Sequence, residues 1–248
     1  TLEDKEDVAQ MFSKYDFLAL PVVDAEGRLV GIVTFDDAMD VMEDEVTEDM
    51  EKMAAMLPSE KPYMRSSVWT IWKNRIPWLL LLMVSATFTG MILNHFEGAL
   101  ATQIVLTSFI PMLMDTAGNS GSQTSVTIIR GLSLGEIEFR DLPKVLWKEC
   151  RVAALCGLTL AAAVFVKLLL VDRALLGGGG ITLPVMLTVC LTMAATIVCA
   201  KLVGGVLPIV AEKLGFDPAV MASPFITTIV DALALLVYFE VATVLLGL

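Results

Sequence analysis

The stretch ITTIVDALALLVYFE, residues 226–240, reads as membrane-spanning sequence but contains a carboxylate, Asp231. A charged side chain at the centre of a bilayer costs about 2.5–3.5 kcal/mol on insertion scales. Acids inside membrane segments therefore usually line ion or proton pathways, or they pair with a basic side chain. Two interpretations stay open: Asp231 binds a cation or a proton, or it forms a structural ion pair with Lys201 or Lys167. Thr227, four residues earlier, shares the helix face of Asp231.

The composition outside this stretch divides the chain into two parts. Of 248 residues, 56% are hydrophobic, which is too apolar for an ordinary soluble domain. Residues 1–60 hold 17 acidic and 4 basic side chains, a net charge of −13, whereas residues 61–248 hold 11 acidic and 13 basic ones. An acidic, water-soluble part is therefore predicted to precede a membrane domain. Its negative charge disfavours nucleic acid as a partner and attracts cations.

Five apolar segments follow the acidic part, each near or above the roughly 20 residues that span a bilayer. They cover approximately residues 76–94, 99–117, 151–171, 183–210 and 222–247. Lys and Arg are concentrated in the loops before the first segment and between the second and third. The positive-inside bias therefore predicts a multi-pass protein of the cell membrane with a cytoplasmic N-terminus and an extracytoplasmic C-terminus.

The residues before the first apolar segment predict a small α/β unit and a long helix. Residues 8–14 favour a helix, and residues 17–24 and 28–35 favour two strands joined by a turn. A further helix is predicted from about Asp36 to Leu57, because its apolar residues recur every three or four positions. The predicted fold class is mainly α, with five transmembrane helices preceded by a partial α/β motif and a long linking helix.

The segment PMLMDTAGNSGSQTSVTIIR, residues 111–130, is unusually polar for its place beside a membrane span. We expect its proline and small residues to break or bend the helix there and to free backbone carbonyls. Such backbone is tolerated at membrane depth only where protein or a water-filled cavity covers it, so the segment is a candidate pore lining. An ordinary cytoplasmic loop is the alternative. Asp115 is either a second pathway acid or a helix-end group.

The segment DDAMDVMEDEVTEDME, residues 36–51, carries nine acidic side chains and no basic one. Several of them recur at spacings of three or four residues and so crowd one helix face, where like charges repel. The segment is either a solvated acidic face or a face stabilised by bound divalent cations. Hard oxygen ligands suit Mg²⁺ or Ca²⁺, and the loop pattern of an EF-hand is absent from the segment.

In this order, the pieces resemble the MgtE family of Mg²⁺ channels and transporters. Residues 17–42 resemble the second half of a CBS domain, residues 43–53 resemble the start of the family's plug helix, and residues 111–137 and 216–239 resemble its pore motifs. The resemblance implies three domains: a partial regulatory CBS domain at 1–36, an acidic connecting or plug helix at 37–62, and a transmembrane pore domain at 63–248.

The resemblance also implies function and site residues. It implies a homodimer in the lipid bilayer with one pore on its two-fold axis, no catalytic residue, and Mg²⁺ as both transported and regulatory ion. The implied pore ligands are Asp231, Thr227, Asp115 and Asn119. The implied regulatory ligands are Asp16, Asp37, Asp40, Glu45, Glu48, Asp49 and Asp217. Thr34 and Asp37 match a ribose-contacting pattern, so ATP is an implied partner of a complete CBS domain.

Three other functions compete with a channel. A proton-coupled secondary transporter of divalent cations would use Asp231 as its proton carrier. An intramembrane aspartyl protease would use Asp115 and Asp231 as a dyad, but the usual G-x-G-D context is absent from the sequence. A membrane adaptor without transport would leave Asp231 unexplained.

Overall fold

The computed structural model describes residues 1–59, 61–177 and 180–247. The helices and strands, in chain order, are α1 (Lys5–Tyr15), β1 (Ala19–Val23), β2 (Leu29–Thr34), α2 (Phe35–Met53), α3 (Val68–His95), α4 (Glu97–Thr102), α5 (Ile110–Ser133), α6 (Leu142–Lys167), α7 (Leu183–Lys213) and α8 (Ser223–Leu246). A π-helical segment, Leu168–Leu175, continues α6. The predicted mainly α class, with a small N-terminal α/β unit, is confirmed.

The N-terminal unit consists of α1, the hairpin of β1 and β2, and the start of α2. The two strands pair antiparallel, with Ala19 opposite Thr34. Ala9 and Phe12 of α1 and Ala38 of α2 form its small buried core. The predicted helix at 8–14 and both predicted strands are therefore confirmed. The linking helix α2 follows β2 directly and ends at Met53, four residues before the predicted Leu57.

Among the described residues, four helical stretches are long and apolar enough to cross a bilayer, judged by length and composition. They run over Val68–His95, Phe139–Leu175, Leu183–Lys213 and Pro218–Leu246. The predicted spans at 76–94, 151–171, 183–210 and 222–247 lie within or almost wholly within these stretches. Helices of this length and hydropathy match the thickness and the apolar interior of a bilayer, so the four stretches define a membrane domain.

The predicted second span at 99–117 is wrong. Its residues divide among α4, a 3₁₀ segment at Ile104–Phe109 and the first two turns of α5. Pro111 lies in the first turn of α5, where its missing N–H removes no helical hydrogen bond. The polar segment 111–130 lies inside the 24 residues of α5, so the predicted helix break and the alternative of a loop are both wrong.

Helix α7 lies at the centre of the membrane domain and packs against α5, α6 and α8. Its buried side chains Val189, Met193 and Ile197 belong to the main apolar core. Small residues bring α5 and α7 together, because a Cβ added to Gly204 would strike the carbonyl oxygen of Gly121. This close approach fixes the position of the polar helix α5 inside an otherwise apolar bundle.

Candidate cation pathway and gate

Helix α5 has an exposed polar face. Asp115, Asn119 and Gln123 are spaced by four residues, and all three are exposed. Between them, Ala117, Gly118 and Gly121 are buried against the bundle. A stripe of carboxylate and amide groups on a membrane-domain helix cannot face lipid favourably. It therefore requires water, an ion or a second protein surface.

Asp231 of α8 lies at the edge of this polar face. A Cβ built on Gly118 would be 3.1 Å from Thr227 Cγ2 and 3.6 Å from Asp231 Oδ1, so α5 and α8 approach closely there. Asp231 and Thr227 are half-buried. The carboxylate of Asp115 is close enough to Asp231 for the two to repel each other. The structure thus brings together the four predicted pore residues, with Asn119 one helical turn from Asp115.

The hydroxyl of Thr227 has a local partner in α8. It donates a hydrogen bond to the carbonyl of Pro224 at 3.0 Å, and Thr228 donates to the same carbonyl at 2.9 Å. A hydroxyl oxygen that donates its proton keeps its lone pairs. Thr227 can therefore still present an acceptor oxygen beside Asp231.

The alternative interpretation, an ion pair of Asp231 with Lys201 or Lys167, is wrong. Lys167 Nζ lies 3.0 Å from Asp172 Oδ2, and Lys201 Nζ lies 3.9 Å from Glu149 Oε2. Within the described part of the chain, Asp231 belongs to no ion pair. The carboxylate therefore has a nearby acid but no basic side chain to balance it.

Lys201 and Glu149 form a second polar site on the other side of α5. Lys201 is only 5% exposed, and its ammonium donates to Thr124 Oγ1 at 3.2 Å. The Thr124 hydroxyl in turn donates to Glu149 Oε2 at 2.9 Å. Three helices, α5, α6 and α7, are linked through these groups. From the sequence, Lys201 was a candidate partner only for Asp231, and no pattern pointed to Glu149, which precedes the predicted third span.

A third candidate site forms where α2 meets the membrane domain. The ammonium of Lys52 lies between two carboxylates, Glu48 on its own helix and Asp217 in the α7–α8 connection, and pairs with both. Asp49 accepts a hydrogen bond from the Ser133 hydroxyl at the end of α5, at 3.3 Å. Three predicted regulatory acids, Glu48, Asp49 and Asp217, are thus gathered at one junction.

Charge and burial shift the pKa values of this junction. Burial raises the pKa of the Asp49 carboxyl, and the nearby Asp217 carboxylate raises it further. Burial alone would lower the pKa of Lys52, but the hydrogen bonds to Asp217 and Glu48 outweigh it and raise that pKa. The junction therefore holds one lysine against several acids and retains an excess of negative charge.

The other predicted regulatory residues lie elsewhere. Glu45 pairs with Lys5 at 2.8 Å, Asp40 is exposed on α2, and Asp16 ends α1 in a left-handed conformation with φ 55°. Asp37 closes a capping box at the start of α2, accepting from the backbone N–H of Thr34 at 3.0 Å and from its hydroxyl. Among residues 1–59, 61–177 and 180–247, no three His, Cys, Asp or Glu side chains are placed to hold a metal.

Sequence reasoning missed Lys52 and Ser133 at this junction. One signal was available for Lys52, because it follows a run of nine acids that contains no base and stands four residues after Glu48. The spacing could not show that Lys52 also reaches Asp217, which lies 165 residues away in the chain.

Two parts of the chain match known protein families. A family profile described as "MgtE: Divalent cation transporter" matches residues 110–241, which cover α5 to α8 and both candidate polar sites of the membrane domain. The chain belongs to the MgtE family. A CBS domain profile also matches residues 3–44, which include α1, the hairpin and the first half of α2. The domain boundaries predicted after residues 36 and 62 stay predictions.

Curated relatives agree with this membership of the MgtE family. The chain is 40% identical over 243 residues to a protein named Magnesium transporter MgtE from Thermus thermophilus, covering 98% of this chain and 52% of the relative. It is 36% identical over 246 residues to a Magnesium transporter MgtE from Bacillus subtilis, covering 98% and 51%. The chain thus spans about half the length of the curated relatives it matches.

Proposed function

We propose that the chain forms the pore and part of the gate of a Mg²⁺-selective channel. The observation that supports this most directly is Asp231, a carboxylate of a membrane-spanning helix that borders the polar face of α5 and has no ion pair in the described residues. A carboxylate in such a place is stabilised by a cation supplied from outside the fold. Both relatives are named magnesium transporters, which supports Mg²⁺ as this cation.

The polar face of α5 is exposed in the single chain, with Asp115, Asn119 and Gln123 uncovered by other helices. We infer a homodimer in which the polar faces of two α5 helices, and two Asp231 side chains, face a shared axis in the cell membrane. Mg²⁺ dehydrates reluctantly and usually keeps several waters. We therefore propose that Asp231, Thr227, Asp115 and Asn119 hold the ion mainly through its water shell, and that no catalytic residue is involved.

The gate is proposed to lie at the junction of α2 with the membrane domain. Intracellular Mg²⁺ would bridge Glu48, Asp49 and Asp217 and so hold α2 against the α7–α8 connection. This neutralisation of charge would favour the closed state of a two-state gate. Asp16, Asp37, Asp40 and Glu45 are proposed as further regulatory Mg²⁺ ligands. The N-terminus is then cytoplasmic, and ATP at Thr34 and Asp37 remains a proposal for a complete CBS domain.

Mg²⁺ uptake into proteoliposomes tests the pore assignment. Asp231→Asn keeps the size of the side chain and removes its charge, so we expect Mg²⁺ flux to fall to the background of empty liposomes. The matched control is Asp172→Asn, which removes an acid that pairs with Lys167 away from the polar face. Unchanged flux in Asp231→Asn would disprove the pore assignment. Flux that required a pH gradient would favour the proton-coupled transporter instead.

A further inference from the structure

A cavity of about 690 Å³ lies on α5, α6 and the connection between them, and its lining includes neither Asp231 nor the acids that contact or surround Lys52. Three basic side chains line it, Arg130, Lys144 and Lys148, together with apolar residues that include Val126, Ile137 and Val145. The combination of cations and apolar surface in one cavity suits an amphiphilic anion better than a simple inorganic ion.

The charges of this cavity are only partly balanced inside the protein. Lys144 pairs with Asp141 at 2.7 Å, whereas Arg130 and Lys148 take part in no ion pair among the described residues. Of the two acids in the lining, Glu149 is held by Thr124 and Lys201, and Glu136 is exposed at the rim. Two cations therefore remain available to a ligand.

The surface that continues from the cavity along α6 is apolar and unpartnered. Val152 and Leu155 follow Lys148 on the same helix face, and Leu155 is 70% exposed. Trp147 is exposed beside them, and the Arg151 guanidinium lies 5.8 Å from its ring centre. Trp and Arg side chains are typical of the level at which membrane headgroups lie.

We propose that this cavity binds the headgroup of an anionic phospholipid. The phosphate lies between Arg130 and Lys148, and an acyl chain runs along Val152 and Leu155 of α6. Basic pockets between membrane helices are suited to such headgroups, and each Lys or Arg near the surface adds to the attraction. A free phosphate ion would use the two cations but would gain nothing from the apolar lining or from the exposed face of α6. The proposal does not depend on which ion the pore carries.

Native mass spectrometry of the purified protein, released from bilayers of equal parts phosphatidylglycerol and phosphatidylcholine, tests this site. We expect a retained phosphatidylglycerol adduct. Lys148→Gln and Arg130→Gln should each weaken its retention about fivefold, and together about twenty-five-fold. The control Arg140→Gln removes a cation of the same connection that pairs with Glu138 and lies outside the lining, so it should leave retention unchanged. Thermal midpoints of the variants verify that they remain folded.

Several outcomes would overturn the proposal. Equal retention of the two lipids, or phosphatidylglycerol retention that neither variant lowers, would show that the cations do not recognise a headgroup. Full displacement of the lipid by excess inorganic phosphate would assign the site to a free anion. A photo-crosslinker at Thr127, which lines the cavity, should label lipid; a crosslink to a second copy of the chain would assign the surface to a subunit interface.

Discussion

Two carboxylates in the membrane-spanning helices, Asp231 and Glu149, are placed in opposite ways. Glu149 is bound by Thr124 and has the ammonium of Lys201 at 3.9 Å, so its charge is balanced within the bundle. Asp231 is half-buried beside Asp115 and has no basic partner in the described residues. Helix α5 separates the two, because Thr124 is nine residues from Asp115 and projects from the opposite face. A balanced acid is suited to structure, and an unbalanced one is suited to an external cation.

The largest expected effect is a loss of stability on removing the charge of Glu149, the acid that already has a basic partner. Glu149→Gln leaves the Lys201 ammonium buried without its acid, and breaking a buried pair costs about 3–5 kcal/mol. We expect the free energy of unfolding, measured by detergent titration, to fall by about that amount. The double variant Glu149→Gln/Lys201→Met should recover much of the loss, because no uncompensated charge then remains.

The comparison predicts a separation of effects between the two acids. Asp231→Asn should abolish flux with little loss of stability, whereas Glu149→Gln should lose stability and keep its flux per folded molecule. Loss of flux in folded Glu149→Gln protein would show that the paired acid also belongs to the pathway, and the contrast between the two sites would be wrong.

A smaller effect is expected where α5 contacts α7 between the two sites. Gly204→Ala would place a methyl group against the Gly121 carbonyl oxygen, so the helices must separate, and such overpacking costs about 1–3 kcal/mol. Gly205→Ala is the matched control, because its added Cβ would meet nothing nearer than 3.8 Å. We expect a lower thermal midpoint and reduced flux for Gly204→Ala alone. Equal behaviour of the two variants would contradict the close approach of α5 to α7.

The smallest effect concerns the proposed gate, where Asp217 has an ion pair and Asp49 has none among the described residues. Lys52→Met removes the bridge between α2 and Asp217, a partly exposed pair worth about 1 kcal/mol at most. In Mg²⁺-free buffer we expect faster proteolysis in the connection after α2, about fivefold. Saturating Mg²⁺ should restore protection, since it would replace the lost cation.

The control for this junction is Lys5→Met, which removes the pair with Glu45 two helical turns before Lys52 and should leave proteolysis unchanged. Identical cleavage of Lys52→Met and the parent chain in Mg²⁺-free buffer would show that Lys52 does not hold the helix.

The sequence predicted the elements whose pattern is local. The spans around α3, α6, α7 and α8 are long, predominantly apolar runs, and the N-terminal strands are short apolar runs bounded by turn residues. Helix α5 was missed because its Gly, Ser and Thr residues are poor helix formers, and its stability comes from packing against α7 and α8. The helical conformation of α5 therefore depends on contacts with helices that are distant in the chain, and a single sequence does not show such contacts.

The residues of the candidate site were likewise predictable only where a local sequence pattern marked them. Asp231 stood out because an acid in an apolar run is costly, and Asp115 and Asn119 stood out because they lie in a polar segment beside a span. The pair of Lys201 with Glu149 joins residues far apart in the chain, and no spacing rule connects them. The structure was needed to show which acid already has a cation and which does not.

The capping box at the start of α2 has a consequence for how the two ends of that helix communicate. Asp37 receives both donors of Thr34, and these two residues are also the pair that matches a nucleotide-contacting pattern. A ligand that claimed the Asp37 carboxylate would strip the first turn of α2 of its cap and favour its unwinding. Ligand binding at Asp37 would then shorten α2 at its N-terminal end, while its C-terminal end contacts the membrane domain through Lys52 and Asp217.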